Sequence, residues 1–265
     1  MIQIKNYLKN FIEQRPVIWK FAWTALQSSD YFLPHDPTYF ALPLLLSDER
    51  SEILDIGANQ GISALSFRKL CPFNSIISFE PNIALEVNLK KISKRIQNFQ
   101  YHMCGLGESE GEFLLYVPRY NNIYLHTFSS LDHSSLKRAI IDTYKKKIYD
   151  KIKIEKFICK IRTLDSFNYK PQVIKVDAEG FEEKIFIGGD LTLREHMPAI
   201  IFEAVHGSVD RILIRLKSLG YFIISFDLKK QLFIMYDSNN SVPYISGSRN
   251  LIAVSENTLK KLIPT

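Results

Sequence analysis

The sequence predicts an α/β fold: a doubly wound, mostly parallel sheet of about seven strands with an N-terminal helical extension. Three observations carry this. From Ser51 onward, short apolar runs alternate with segments of helical periodicity, and such repeated strand–helix units build parallel sheets. The first run, Ile53-Leu54-Asp55-Ile56, ends in a glycine turn before the helical pattern begins. Near the other end, Tyr221 to Phe226 and Gln231 to Tyr236 flank a short polar turn, so an antiparallel pair closes the sheet.

Residues 1–50 read as helical segments broken at Pro16 and around Pro34 to Pro37, a cap or an arm for self-association. The catalytic domain is placed at 51–265. After the first strand, Ile62, Leu65 and Leu70 recur at helical spacing. Ser75 to Glu80 is the second strand and Ile83 to Ile96 the second helix, with Leu85, Leu89 and Ile92 turned inward. Phe99 to Cys104 and Glu112 to Val117 are further strands, separated by Gly105, Gly107 and Gly111. Leu136, Ile140, Tyr144, Ile148 and Ile152 recur every four residues and predict one apolar stripe on a cationic helix, within a basic insertion at about 134–156. Strands are expected at Ile158 to Thr163, Val173 to Val176 and Ala199 to Ala204, a helix at Ser208 to Leu219 and a last strand at Leu251 to Val254.

An apolar fraction of 46% and a charged fraction of 23% are those of an ordinary globular chain. No apolar run is long enough for a membrane span, so a cytoplasmic protein is expected. Cys71, Cys104 and Cys159 form neither a CxxC pair nor a metal-ligand spacing and read as buried thiols. The net charge of +6 does not mark a nucleic-acid binder, because residues 137–160 alone hold nine Lys or Arg against three acids and the remainder is balanced. The lysines of that stretch read as a solvated face, although they could also attract an acidic acceptor.

The segment Asp55-Ile56-Gly57-Ala58-Asn59-Gln60-Gly61 carries most of the functional information, together with Glu80 and Pro81 ending the next strand. Both lie at carboxyl ends of strands, where doubly wound sheets bind ligands. Glycine at 57 and 61 admits close backbone approach, and the planar Glu80 carboxylate suits two neighbouring ribose hydroxyls. A dinucleotide site has a similar outline but uses GxGxxG, whereas this loop is DxGxxxG and opens with an acid that would repel a pyrophosphate. The positively charged, phosphate-free S-adenosylmethionine suits it better. Cys104, ending the third strand, and Gly105, opening the turn after it, are further candidates for cofactor contact.

In order and spacing these pieces resemble the FkbM-type methyltransferases over roughly residues 50–207. The pieces are Asp55 to Gly61, Phe79-Glu80-Pro81, Gly105-Leu106-Gly107 with Gly111, Ser129-Ser130-Leu131, Thr163-Leu164-Asp165-Ser166-Phe167, Ile174 to Gly180, and Glu203 with His206. The resemblance implies a Rossmann-like class I methyltransferase fold and O-methylation of hydroxyls, commonly on sugars, polysaccharides or macrolide-like products, with S-adenosylhomocysteine as coproduct. Cys104, often alanine in such sequences, and Ala178, often valine or isoleucine, depart from the pattern without removing a ligand.

Methyl transfer to oxygen gains from a base near the acceptor hydroxyl, typically about 10²–10⁴-fold. Asp177, Glu179, Glu203 and His206 follow the next two parallel strands and are the candidates. His206 titrates nearest neutrality and is the first choice, with Asp177 or Glu203 orienting it. Glu179 could instead cap the helix starting near Phe181. Asp165 reads as a turn former, and His126 and His133 as loop histidines. Asp177 and Glu203 could share a hard cation such as Mg²⁺, but no dedicated ligand set is present and a metal is not favoured. Other acceptors (nitrogen, carboxylate, peptide) and a silent cofactor-binding scaffold are the rival readings; an Asn/Asp-Pro-Pro-Tyr motif suited to amino groups is missing where Asp177-Ala178-Glu179-Gly180 stands.

Overall fold

In a computed structural model of the chain, residues 34, 36–144, 149–203, 209–236 and 250–263 are described. Residues 1–33 of the expected extension and arm, and His206, lie outside them. The chain divides into a larger compact unit, built from residues 34–112 and 159–265, and a smaller one that includes 113–158.

The strands are β1 (Glu52–Ile56), β2 (Ser75–Phe79), β3 (Phe99–His102), β4 (Gly105–Leu106), β5 (Gly111–Tyr120), β6 (Ile123–Tyr124), β7 (Ile152–Arg162), β8 (Pro171–Val176), β9 (Ala199–Glu203), β10 (Phe222–Asp227), β11 (Leu232–Met235) and β12 (Asn250–Val254). The principal sheet of the larger unit runs β11-β10-β12-β9-β8-β1-β2-β3, eight strands against about seven expected. From β3 to β9 neighbours are parallel. At the other edge β12 is antiparallel to both β9 and β10, and β11 to β10. The last strand thus inserts into the sheet beside β9, and the expected hairpin forms outside it.

Strand order reverses between β1 and β8: the chain runs from β1 outward to β3, then returns to β8 and continues to β9. The carboxyl ends of β1 and β8 flank the crevice that such a reversal opens.

Both faces of the sheet are covered, which is why its central strands are nearly continuous apolar runs. On one face Ile53, Ile76, Val173 and Ile201 pack with Ala64 and Phe67 of helix Ile62–Leu70 and with Leu89 and Ile92 of helix Glu86–Ser93. Tyr39, Ala41, Leu42 and Leu45 belong to the same core, and Tyr39 meets Phe67 edge to face at 4.9 Å. Residues 37–45, expected in a separate extension, are therefore core of the larger unit, because this sheet face needs an apolar cover. On the opposite face Phe202 meets Phe186 of helix Glu182–Gly188.

In the smaller unit β5 pairs with β6 through Arg119↔Tyr124 and Tyr120↔Ile123. Helix His133–Tyr144 buries Leu136 and Ile140 with Leu125 and leaves Lys137 and Arg138 exposed, as the stripe predicts. The stripe does not continue as one helix to Ile152: that residue opens β7, where alternating Ile152 and Ile154 satisfy a period of two. Asp132 accepts from the N–H groups of Ser134 and Ser135 and so starts the helix. No helix among the described residues is long and apolar enough to cross a membrane.

Candidate functional site

The loop after β1 leaves the sheet through Gly57, at φ +76°, where a Cβ would lie 1.8 Å from the Asp177 carbonyl oxygen. Only glycine lets the β1 and β8 termini approach so closely. The loop is tied to β2 as well, since the N–H groups of Gly57 and Ala58 both donate to Phe79 O at 3.0 and 3.1 Å. Asn59 follows at φ +50°, and the Gly61 N–H donates to Ala58 O at 2.7 Å before helix Ile62–Leu70 begins.

Glu80 is buried at the end of β2. One carboxylate oxygen accepts from Asn59 N–H at 2.7 Å and the other from Asn82 N–H at 2.8 Å. Burial pushes its carboxyl up to about 7, opposed by these two donors and by Lys175. A carboxylate offers about four lone-pair sites, so acceptor capacity remains for a pair of hydroxyls. Pro81 packs near Gly105, whose Cβ would stand 3.3 Å from it. Cys104 is buried, and burial pushes its thiol up to about 11.

Asp55 is placed differently from its expected role at a ligand. It is completely buried and accepts from Ser63 Oγ at 2.6 Å and Ser78 Oγ at 3.0 Å. Its other oxygen lies 3.2 Å from Lys175 Nζ, an ion pair whose angle falls short of a hydrogen bond. Asp55 supports the loop from beneath, because its oxygens are turned to core partners. The strand registers explain the grouping: Ser78, Asp55 and Lys175 are cross-strand neighbours on β2, β1 and β8, one polar row in an apolar sheet. Lys175, which spacing alone did not single out, also donates to Gly57 O at 2.9 Å. Burial disfavours its charge, but Asp55 and Asp177 outweigh it and hold the amine above its ordinary range.

The second group gathers at the ends of β8 and β9. Asp177 has a side chain 44% exposed, 3.7 Å from Lys175 Nζ, and its N–H donates to Ile56 O at 3.1 Å. Glu179 stands at φ +50°, and burial followed by the charges of Asp177, Glu203 and Glu182 pushes its carboxyl well above the usual range. Helix Glu182–Gly188 has no side-chain hydrogen bond capping its start, and Glu182 reaches back instead: its carboxylate accepts from Ala178 N–H at 3.0 Å and Gly180 N–H at 3.1 Å, fixing the turn that carries Glu179. Tyr39 adds a buried phenol that burial, then Asp36, Asp177, Asp55 and Glu203 push upward. Among the described residues no group of three or more His, Cys, Asp or Glu could hold a metal ion.

Asp165 does more than form a turn. It accepts from Leu191 N–H, Thr192 N–H and Thr192 Oγ1, satisfying first-turn donors of helix Asp190–His196. His126 and His133 belong to the smaller unit; burial pulls the His126 imidazole down, and His133 packs its ring on Tyr116 at 5.1 Å.

The methyltransferase FkbM domain model matches residues 55–223, most of the chain. Among solved structures, the methyltransferase FkbM from Methylobacillus flagellatus KT superposes with a TM-score of 0.50 at 17% identity, covering 82% of this chain and 47% of that one. This chain thus spans about half the length of that relative. The precorrin-6y C5,15-methyltransferase from Geobacter metallireducens GS-15 is similar at 12% identity, TM-score 0.41, with 82% and 85% covered. Aeropyrum pernix fibrillarin, solved with natively bound S-adenosyl-L-methionine, is similar at 11% identity, TM-score 0.41, with 82% and 76% covered. No curated protein matches the chain.

Proposed function

The chain belongs to the FkbM methyltransferase family, and we propose that it transfers the methyl group of S-adenosylmethionine to a hydroxyl of a sugar, glycan or glycosylated natural product. The observation that carries this reading is the meeting of the Gly57 turn with the Asp177 backbone at the reversal between β1 and β8, with the buried Glu80 carboxylate one strand away. Bound cofactor supplies an electrophilic methyl on a sulfonium that departs as a neutral thioether.

The chain's residues fit such a ligand by charge and by donor–acceptor type. Glu80 accepts the two ribose hydroxyls while Asn59 and Asn82 N–H groups hold its orientation. Ala58, Asn59, Pro81 and Gly105 form the wall against the nucleoside, with Cys104 behind it. The acids Asp177, Glu179 and Glu203 favour a cationic ligand over a pyrophosphate, which carries no positive charge to pair with them.

For the acceptor, hydroxyls are the natural partners of a cluster of carboxylates, each oxygen accepting a hydroxyl proton. Asp177, the exposed member, orients the acceptor oxygen. His206 takes the proton as it leaves, and Glu179, whose carboxyl is raised by burial and by its acidic neighbours, is the alternative base once ionised. Alignment does the rest, because holding oxygen, methyl and sulfur in line replaces a bimolecular encounter.

Isothermal titration with S-adenosylhomocysteine and with NADH, followed by transfer of labelled methyl to a panel of hydroxylated glycans, tests this. Binding of the nucleoside thioether together with label on a glycan hydroxyl is expected. Binding of NADH alone overturns the cofactor assignment; label found only on amines or carboxylates overturns the acceptor.

A further inference from the structure

We propose that Lys175 is a positioning residue that locks the cofactor loop to the acceptor-side acids, an inference that rests on the function proposed above. Its side chain is 4% exposed, and the ammonium lies within reach of four groups from two strand ends. It donates to Gly57 O at 2.9 Å, in the turn after β1, and approaches Ile56 O at 3.4 Å, at the end of that strand. It lies 3.2 Å from Asp55 on β1 and 3.7 Å from Asp177 at the end of its own strand.

A lysine in the middle of a doubly covered sheet is costly, since an ammonium taken from water loses several kcal/mol of hydration. If stabilising the sheet were its whole role, an apolar pair in place of Asp55 and Lys175 would serve as well or better. What an apolar pair cannot do is hold a carbonyl of the cofactor loop and set the field at Asp177 with the same atom. The Gly57 carbonyl faces inward to Lys175, which fixes the orientation of the adjoining peptide plane that leads into Ala58 and Asn59.

Electrostatically, Lys175 is one buried cation among several acids. Asp55 faces it from β1, Glu80 from the end of β2, and Asp177 from β8 itself. Glu179 lies on the turn after β8, Glu182 opens the helix that follows, Glu203 ends β9, and the buried Tyr39 phenol feels the charges of Asp177, Asp55 and Glu203. Removing the ammonium leaves that assembly without its central positive charge, so every nearby carboxyl holds its proton more tightly. An acid that must be ionised for turnover then titrates at higher pH.

The single variant Lys175→Met leaves Asp55 charged in the core and can fail to fold. The variant Asp55→Asn with Lys175→Met removes both charges and separates fold from function. In the folded double variant we expect S-adenosylhomocysteine affinity to fall about tenfold or more, the loss of one charge-assisted hydrogen bond to the loop. Asp55→Asn and the double variant differ only in the ammonium, so the acidic limb of the pH–turnover profile is expected at higher pH in the double variant than in Asp55→Asn, a change that a purely structural pair would not produce. Asp55→Asn alone, with Lys175 kept, should retain more cofactor affinity than the double variant. A folded double variant with wild-type affinity and with the acidic limb of Asp55→Asn overturns the proposal. If the wild-type chain binds no S-adenosylhomocysteine, the proposed function fails and this inference fails with it; wild-type binding with an unaffected double variant removes the Lys175 role alone.

Discussion

At neutral pH the Glu80 carboxyl, lifted to about 7 by burial, divides between its two protonation states. In the empty protein this group favours folding when protonated: its folded value lies above the ordinary 4.5, so its contribution is complete below about pH 4.5 and is lost as pH rises through 7. Two ribose hydroxyls donating to the carboxylate reverse the preference, since hydrogen bonds to the charged form favour it. Cofactor binding near neutrality is therefore expected to release up to one proton, and affinity to fall up to about tenfold per pH unit below 7. Calorimetric titration in buffers of different ionisation enthalpy reads the proton directly, and Glu80→Gln should abolish the exchange. No proton exchange in the wild type would separate Glu80 from the ligand. The carboxylate at the end of β2 was legible because the motif places it there. Asp55 was legible as a residue but not in its role, since its partner Lys175 lies 120 positions away and only the cross-strand register unites them.

Between elements, one residue that periodicity cannot reveal is Arg68, near the end of helix Ile62–Leu70. Its guanidinium donates to Cys71 O at 3.2 Å, Pro72 O at 2.6 Å, Asn74 O at 2.8 Å and Gln97 O at 2.7 Å. It thereby joins the helix end, the loop into β2 and the loop into β3, satisfying carbonyls that helix and loop leave open. An ammonium cannot span the two nitrogens of that fork, so Arg68→Lys is expected to cost about 1.5–3 kcal/mol, the range for hydrogen bonds to a charged group. Chemical denaturation measures it through the midpoint, at unchanged slope. A midpoint within error of the wild type would mean that water replaces the fork without loss. Element boundaries were legible where one period dominates, as in β1 and helix Ile62–Leu70. They were not where two periods overlap: Tyr144 and Ile152 fit the stripe of four, yet Ile152 and Ile154 also fit a strand, and strand pairing decided between them.

For the whole molecule, the sheet's parallel half followed from repeated strand–helix units, while the insertion of β12 beside β9 did not, because pairing between distant strands leaves no local trace. The same blindness applies to residues 37–45. Proline breaks and a helical pattern suggested an appended arm, but Tyr39, Ala41, Leu42 and Leu45 are buried in the core that covers Ile53, Ile76 and Val173. That placement has an energetic consequence. Leu42 is fully buried, and truncating a buried leucine to alanine costs about 2–5 kcal/mol through lost transfer energy and the cavity left behind. If residues 37–45 fold with the sheet, Leu42→Ala should lower a single thermal midpoint by roughly 5–15 °C for a chain of this size. S-adenosylhomocysteine at a hundredfold excess over Kd should stabilise wild type and variant alike by about 2.7 kcal/mol and raise both midpoints, because the ligand binds only the folded state. A segment packed loosely on a finished core would behave otherwise: Leu42→Ala would leave the main transition in place and add an earlier, ligand-insensitive step. Differential scanning calorimetry with and without the ligand distinguishes these outcomes, since only a core shared with the strands that lead into Gly57 and Asp177 moves as one transition.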